Sequence, residues 1–162
     1  MGESLARKDD VVVCLDGRQS DIAAELQRGV CRAFRALGLC VVTELVLANG
    51  RRADVVGLSA SGDILIVEIK SCLLDYRSDC KWQDYLDFCD RLYFAVRADF
   101  PRHVIPEEAG LILADRYGAE LVREGLEERL SAARRKAMML SFARAAALRL
   151  QHHLDPACGL ES

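Results

Sequence analysis

Arg52-Ala53-Asp54-Val55-Val56 and Ile66-Val67-Glu68-Ile69-Lys70 are the two stretches that decide the reading of this chain. Both have the apolar, β-branched composition of buried strands. In each, charged residues interrupt the apolar run near the end of the strand. A charge on a strand that is apolar on both sides must be paired, hold a metal or do chemistry. Glu68 and Lys70 are two residues apart, so they leave the same side of their strand. An acidic residue, a modest loop and then Glu-x-Lys on the next strand can bring two carboxylates and an ammonium into one cleft.

The flanking sequence builds outward from these runs. Asn49-Gly50 predicts a two-residue hairpin turn between a strand over 39–47 and one over 52–58. The turn Ser59-Ala60-Ser61-Gly62-Asp63 leads into a third strand over 64–69, so apolar that burial on both faces is expected. Upstream, Ile22, Leu26, Val30, Ala33, Phe34 and Leu37 recur at helical steps, with Ser20 or Asp21 as N-cap and Gly38 as C-cap. Downstream, a second helix is expected over 77–90, with Trp82, Tyr85, Leu86 and Cys89 on its buried face and Asp79, Asp87 and Asp90 on an acidic flank. A strand over 92–96, a small hairpin around Arg116-Tyr117-Gly118 and helical sequence from Leu126 to about Leu154 complete the order. A hairpin leading into a strand–helix–strand unit predicts an α/β fold: a mixed sheet flanked by helices, in the order αβββαβ.

Length and composition set limits. At 162 residues the chain is read as one domain, with a core over about 20–97 and a C-terminal hairpin and helix over 103–154. No apolar run approaches the roughly 20 residues that span a bilayer, and the polar N-terminus lacks a signal-peptide core. A cytoplasmic protein without membrane contact is the expectation. The seven cysteines are odd in number and form no C-x-x-C pair, so reduced thiols are expected rather than disulfides or zinc ligands. The net charge of −3 argues against a protein that coats nucleic acid non-specifically, but not against an enzyme with a local basic groove. Arg134-Arg135-Lys136 reads as a solvated helix face, with Met138, Met139 and Phe142 as core.

The Asp54, Glu68, Lys70 constellation resembles that of the PD-(D/E)xK nuclease superfamily, with Ala53 standing at its signature proline. Val67-Glu68-Ile69-Lys70-Ser71, the run from Asp79 to Asp90, Leu92-Tyr93-Phe94-Ala95-Val96 and Pro106-Glu107-Glu108-Ala109-Gly110-Leu111 resemble the MmcB-like family of bacterial DNA-repair-related proteins. The superfamily resemblance implies a restriction-endonuclease-like fold and a magnesium-dependent deoxyribonuclease, with manganese able to substitute; the MmcB-like resemblance implies the same type of fold and a role in the DNA-damage response of a bacterium, without a known substrate. Magnesium prefers carboxylate oxygens and keeps several waters. Asp54 and Glu68 would hold it, with the backbone carbonyl of Ile69 as third ligand. Lys70 would orient the attacking water or neutralise the phosphate; sequence does not separate these roles. The resemblance also implies an acidic residue from the first helix, for which Glu25 is the candidate and Glu44 the competitor. It implies a phosphate contact on the second helix, for which Lys81 is the candidate, and Arg52 beside Asp54 is a further one.

DNA is the expected partner. The Ala- and Met-rich C-terminal helix offers a surface for a second copy, and other repair proteins are expected partners of a repair function. The competing reading is a non-catalytic protein that recognises DNA or recruits repair factors on a nuclease fold.

Overall fold

The structure is a computed structural model, and it describes residues 16–78 and 81–157. Six strands form one open mixed sheet in which strand order follows chain order. The elements are α1 (Asp16–Ala36), β1 (Cys40–Val46), β2 (Arg52–Leu58), β3 (Ile64–Lys70), α2 (Leu73–Ser78), β4 (Arg91–Val96), β5 (Gly110–Ala114), β6 (Ala119–Arg123) and α3 (Ala132–Leu154). A 3-10 helix spans Trp82–Phe88. β1, β2 and β3 pair antiparallel, β3, β4 and β5 pair parallel, and β6 returns antiparallel on β5. The mixed sheet flanked by helices is the fold the sequence predicts.

Burial follows the alternation of the strands. On one face, Leu26, Val30 and Phe34 of α1 pack on Val55, Val67, Tyr93 and Ile112. On the other, Met138 and Phe142 of α3 and Tyr85 of the 3-10 helix pack on Val42, Val56, Ile66 and Leu92. β3 is buried along nearly its whole length, as expected for a strand covered on both sides. α1 approaches the sheet closely at Gly29, where a Cβ would overlap the Asp115 carbonyl oxygen of the β5–β6 turn. Gly38 ends α1 in the left-handed conformation, as its C-cap position predicts. Among the described residues no helix is long and apolar enough to cross a membrane.

Several expectations are corrected. α1 begins at Asp16, a turn before Ser20. The first hairpin loop holds three residues rather than two: the Leu47 amide bonds the Arg51 carbonyl, and Gly50 takes a positive φ within the loop. The second helix is not continuous. It divides into α2 and the 3-10 helix, with Asp79 and Cys80 outside the described residues. The three-residue steps from Trp82 to Tyr85 and from Leu86 to Cys89 suit a 3-10 repeat as well as an α-helical one. The C-terminal hairpin belongs to the main sheet. The helical tail starts at Ala132, because residues 124–131 form neither helix nor strand and spend amides elsewhere: Leu126 on the Glu108 carbonyl, Glu128 on the Asp90 carbonyl and Leu130 on the Asp90 carboxylate.

Asp90 is not on an acidic flank. It is buried, and its carboxylate accepts from the amides of Ile64 (2.7 Å) and Leu130 (2.9 Å) and from both terminal nitrogens of Arg135 (2.8 and 2.7 Å). Arg135 is therefore a structural residue rather than a solvated one, whereas Arg134 makes an exposed pair with Asp87. Met138 and Phe142 are core, but Met139 is exposed. Cys31, Cys40, Cys72 and Cys89 are free thiols; Cys14, Cys80 and Cys158 lie outside the described residues.

Candidate active site

The registered pairing of β2 with β3 runs from Leu58↔Ile64 to Val55↔Val67 and stops there. Asp54 and Glu68, the next residues along each strand, exchange a different set of bonds. The Asp54 amide donates to Glu68 Oε1 (3.3 Å), and the Ile69 amide donates to Asp54 Oδ2 (2.8 Å). Carboxylates thus take over the backbone donors where the ladder opens. Lys70 follows at the end of β3, and all three side chains line one cleft of about 520 Å³.

α1 closes the cleft on one side. Ser20, Ala23, Ala24 and Gln27 form a helical stripe along it. Small side chains leave room, and Gln27 spans the mouth, donating to Glu44 Oε1 (3.0 Å) and to the Asp54 carbonyl (3.2 Å). Glu44 also pairs with Arg52, Nε to Oε2 at 2.5 Å. Tyr85 forms part of the floor and donates its hydroxyl to the Arg52 carbonyl (3.3 Å). Asp75 of α2 accepts from the Ser71 amide (3.1 Å) and hydroxyl (3.3 Å) at the exit of β3.

The electrostatics are those of crowded carboxylates removed from water. Burial raises the Asp54 carboxyl to about 6; Glu44 and Asp75 push the same way, against the Ile69 amide and Lys70. Burial raises Glu68 further, to about 8, reinforced by the charge of Asp54 and opposed by Lys70 and by bonds from the Asp54 amide and Tyr85. Protons or a cation must relieve this pair. Among the described residues no three His, Cys, Asp or Glu side chains form a metal-holding group. Two hard carboxylates in a desolvated cleft nevertheless fit magnesium, which takes one or two protein carboxylates and completes its shell with water and phosphate oxygens.

The structure brings together Asp54, Glu68, Ile69, Lys70 and Arg52, and it does not bring Glu25 or Lys81 to them. Glu25 points away from the Ser20–Gln27 stripe by helical phase and pairs with Arg116 at 3.6 Å, in a separate cleft of about 890 Å³. Glu44 occupies the cleft instead. Lys81 is exposed and precedes the 3-10 helix, outside the cleft, because the continuous helix expected to carry it does not form. Sequence reasoning passed over Gln27, Ser71, Asp75 and Tyr85. Gln27 was accessible, since it shares the helical stripe of Ser20, Ala23 and Ala24. Asp75 carried no signal, because its place depends on where α2 starts.

Comparison with known proteins adds three findings. A family model described as DNA repair protein MmcB-like matches residues 10–157. The solved structure of SPO1766, a protein of unknown function from Silicibacter pomeroyi, superposes with a TM-score of 0.83 at 45% identity, covering 86% of this chain and 97% of that one. No curated protein matches the chain.

Proposed function

The chain belongs to the MmcB-like family of DNA repair proteins, and from that premise we propose that it is a metal-dependent DNA nuclease of the PD-(D/E)xK type. The observation that carries the reading is the convergence of Asp54, Glu68 and Lys70 in one cleft, at the point where the β2–β3 ladder opens. Buried carboxylates with raised pKa values beside a buried lysine are an expensive arrangement for a fold to keep, and such groups cluster at functional sites.

In this reading Asp54 and Glu68 would hold a magnesium ion, whose chemistry when bound would be charge stabilisation at the phosphate and activation of water. The protein residues do the rest. The Ile69 amide fixes one oxygen of Asp54, and the Asp54 amide fixes one oxygen of Glu68, so both carboxylates are oriented by backbone rather than by mobile side chains. Lys70 places a positive charge beside the reacting phosphate, where it neutralises the substrate or orients the attacking water. Arg52 and Gln27 hold the mouth of the cleft through Glu44.

The test offers purified protein single-stranded, duplex, flapped and branched DNA with magnesium or manganese, beside Asp54→Ala and Lys70→Ala variants. Cleavage that needs the metal and is lost in both variants is the expected result. Binding without cleavage of any substrate would overturn the nuclease reading and leave a protein that recognises DNA without cutting it.

A further inference from the structure

We infer that Arg149, in the last turns of α3, is a positioning residue that holds Glu44 in the cleft beside Asp54 and Glu68. The inference deepens the nuclease reading and rests on it for its chemistry, but not for its geometry.

Three observations carry it. First, Glu44 has φ of +50°, the one non-glycine residue with positive φ among the described residues. A side chain pays for that conformation, and such residues persist only where the surroundings enforce them. Second, β1 and β2 are in register on both sides of this point, Thr43↔Val55 and Leu45↔Ala53, but Glu44 and Asp54 are missing as a ladder pair. Alternation breaks there in both strands. Val42 and Leu45, three residues apart, reach the same core cluster, and so do Ala53 and Val56. Both strands therefore turn over at the two residues that line the cleft.

Third, the carbonyls beside the break have a partner. The Arg149 guanidinium donates through Nη1 to the Thr43 carbonyl and through Nη2 to the Glu44 carbonyl at 3.2 Å. Every residue of α3 from Ala147 onward is exposed, so these turns contribute nothing to the core. They reach the sheet through this two-pronged grip, which suits the fixed fork of a guanidinium and not a lysine. With its backbone so held, Glu44 faces Gln27 and Arg52 and lies close enough to Asp54 to raise its pKa.

The experiment uses the full chain and the variants Arg149→Ala, Arg149→Lys, Glu44→Gln and Arg149→Ala/Glu44→Gln. One readout is backbone chemical shifts at residue 44 in metal-free protein. Wild type is expected to show left-handed values, and both single Arg149 variants values shifted toward extended backbone. The other is Mn2+ affinity by titration calorimetry. Loss of an orienting partner is expected to weaken it about tenfold in Arg149→Ala, with no further loss from Arg149→Ala once Glu44 is Gln. Unchanged shifts at residue 44 in Arg149→Ala, or Mn2+ affinity unchanged while wild type binds, would overturn the inference. Failure of wild type itself to bind Mn2+ would sink the nuclease reading instead, and the shifts would still decide the role of Arg149.

Discussion

Replacing Glu68 with Gln should remove most of the loss of stability that the wild type suffers as pH rises from 5 to 8.5. The wild-type carboxyl, ordinarily near 4.5, is raised to about 8 because it is buried beside Asp54. A folded-state pKa above the unfolded one means that folding takes up a proton. The stabilisation is whole below about pH 4.5 and is lost as pH rises through about 8. Each pH unit inside that window removes about 1.4 kcal/mol, so between pH 5 and pH 8.5 wild type should lose on the order of 4 kcal/mol that a non-titrating Gln does not. The assay is urea unfolding in EDTA at fixed ionic strength across that range. The two proteins should be of similar stability near pH 5, and Glu68→Gln clearly the more stable at pH 8.5. Adding magnesium at pH 8.5 should recover stability in wild type and much less in the variant. Parallel stability curves across the whole range would refute the claim that this carboxyl is held protonated by its surroundings.

Other perturbations test other parts of the molecule. Asp90→Ala leaves two buried amides and the Arg135 guanidinium without their acceptor, and chemical denaturation should show a loss of about 3–5 kcal/mol. Burial pushes the Asp90 carboxyl up, but Arg135 and the amides of Ile64 and Leu130 outweigh it and hold it low. Its contribution is therefore present above the ordinary carboxylate range and is lost only as pH falls through its depressed pKa, which acid unfolding of wild type against Asp90→Asn would trace. Gly29→Ala drives a methyl into the Asp115 carbonyl and should cost about 1–3 kcal/mol or more, read as a lowered melting temperature. Glu25→Gln removes only a partly exposed pair with Arg116 and should change stability by less than about 1 kcal/mol and leave DNA cleavage intact, whereas Glu44→Gln should impair cleavage.

The β2–β3 hairpin could be read from sequence because its signals are local. Apolar runs of strand length, a glycine turn and a Glu-x-Lys step together dictate which side chains share a face. Asp54, Glu68 and Lys70 were legible for that reason. Glu25 and Glu44 could not be ranked in the same way, because the choice depends on the rotational phase of α1 against the sheet and on a break in strand alternation that no residue type announces. Glu is a poor candidate for a left-handed conformation, so nothing at position 44 marks it. Asp90 was misplaced for a similar reason. Its partners Ile64, Leu130 and Arg135 are distant in sequence, and a single aspartate after an amphipathic stretch reads locally as solvated. The helix expected over 77–90 failed because its apolar spacing fits two helical periods.

Strand order that copies chain order has a bearing on how the protein is made. Each strand emerging from the ribosome finds its neighbour already laid down, so the sheet can grow in one direction with little searching across the chain. α3 comes last, and it supplies Met138 and Phe142 to the face that also buries Val42, Val56 and Ile66. A chain halted before residue 132 would carry a nearly finished sheet with one greasy side uncovered. Premature termination there should leave an aggregating product rather than a merely weakened protein.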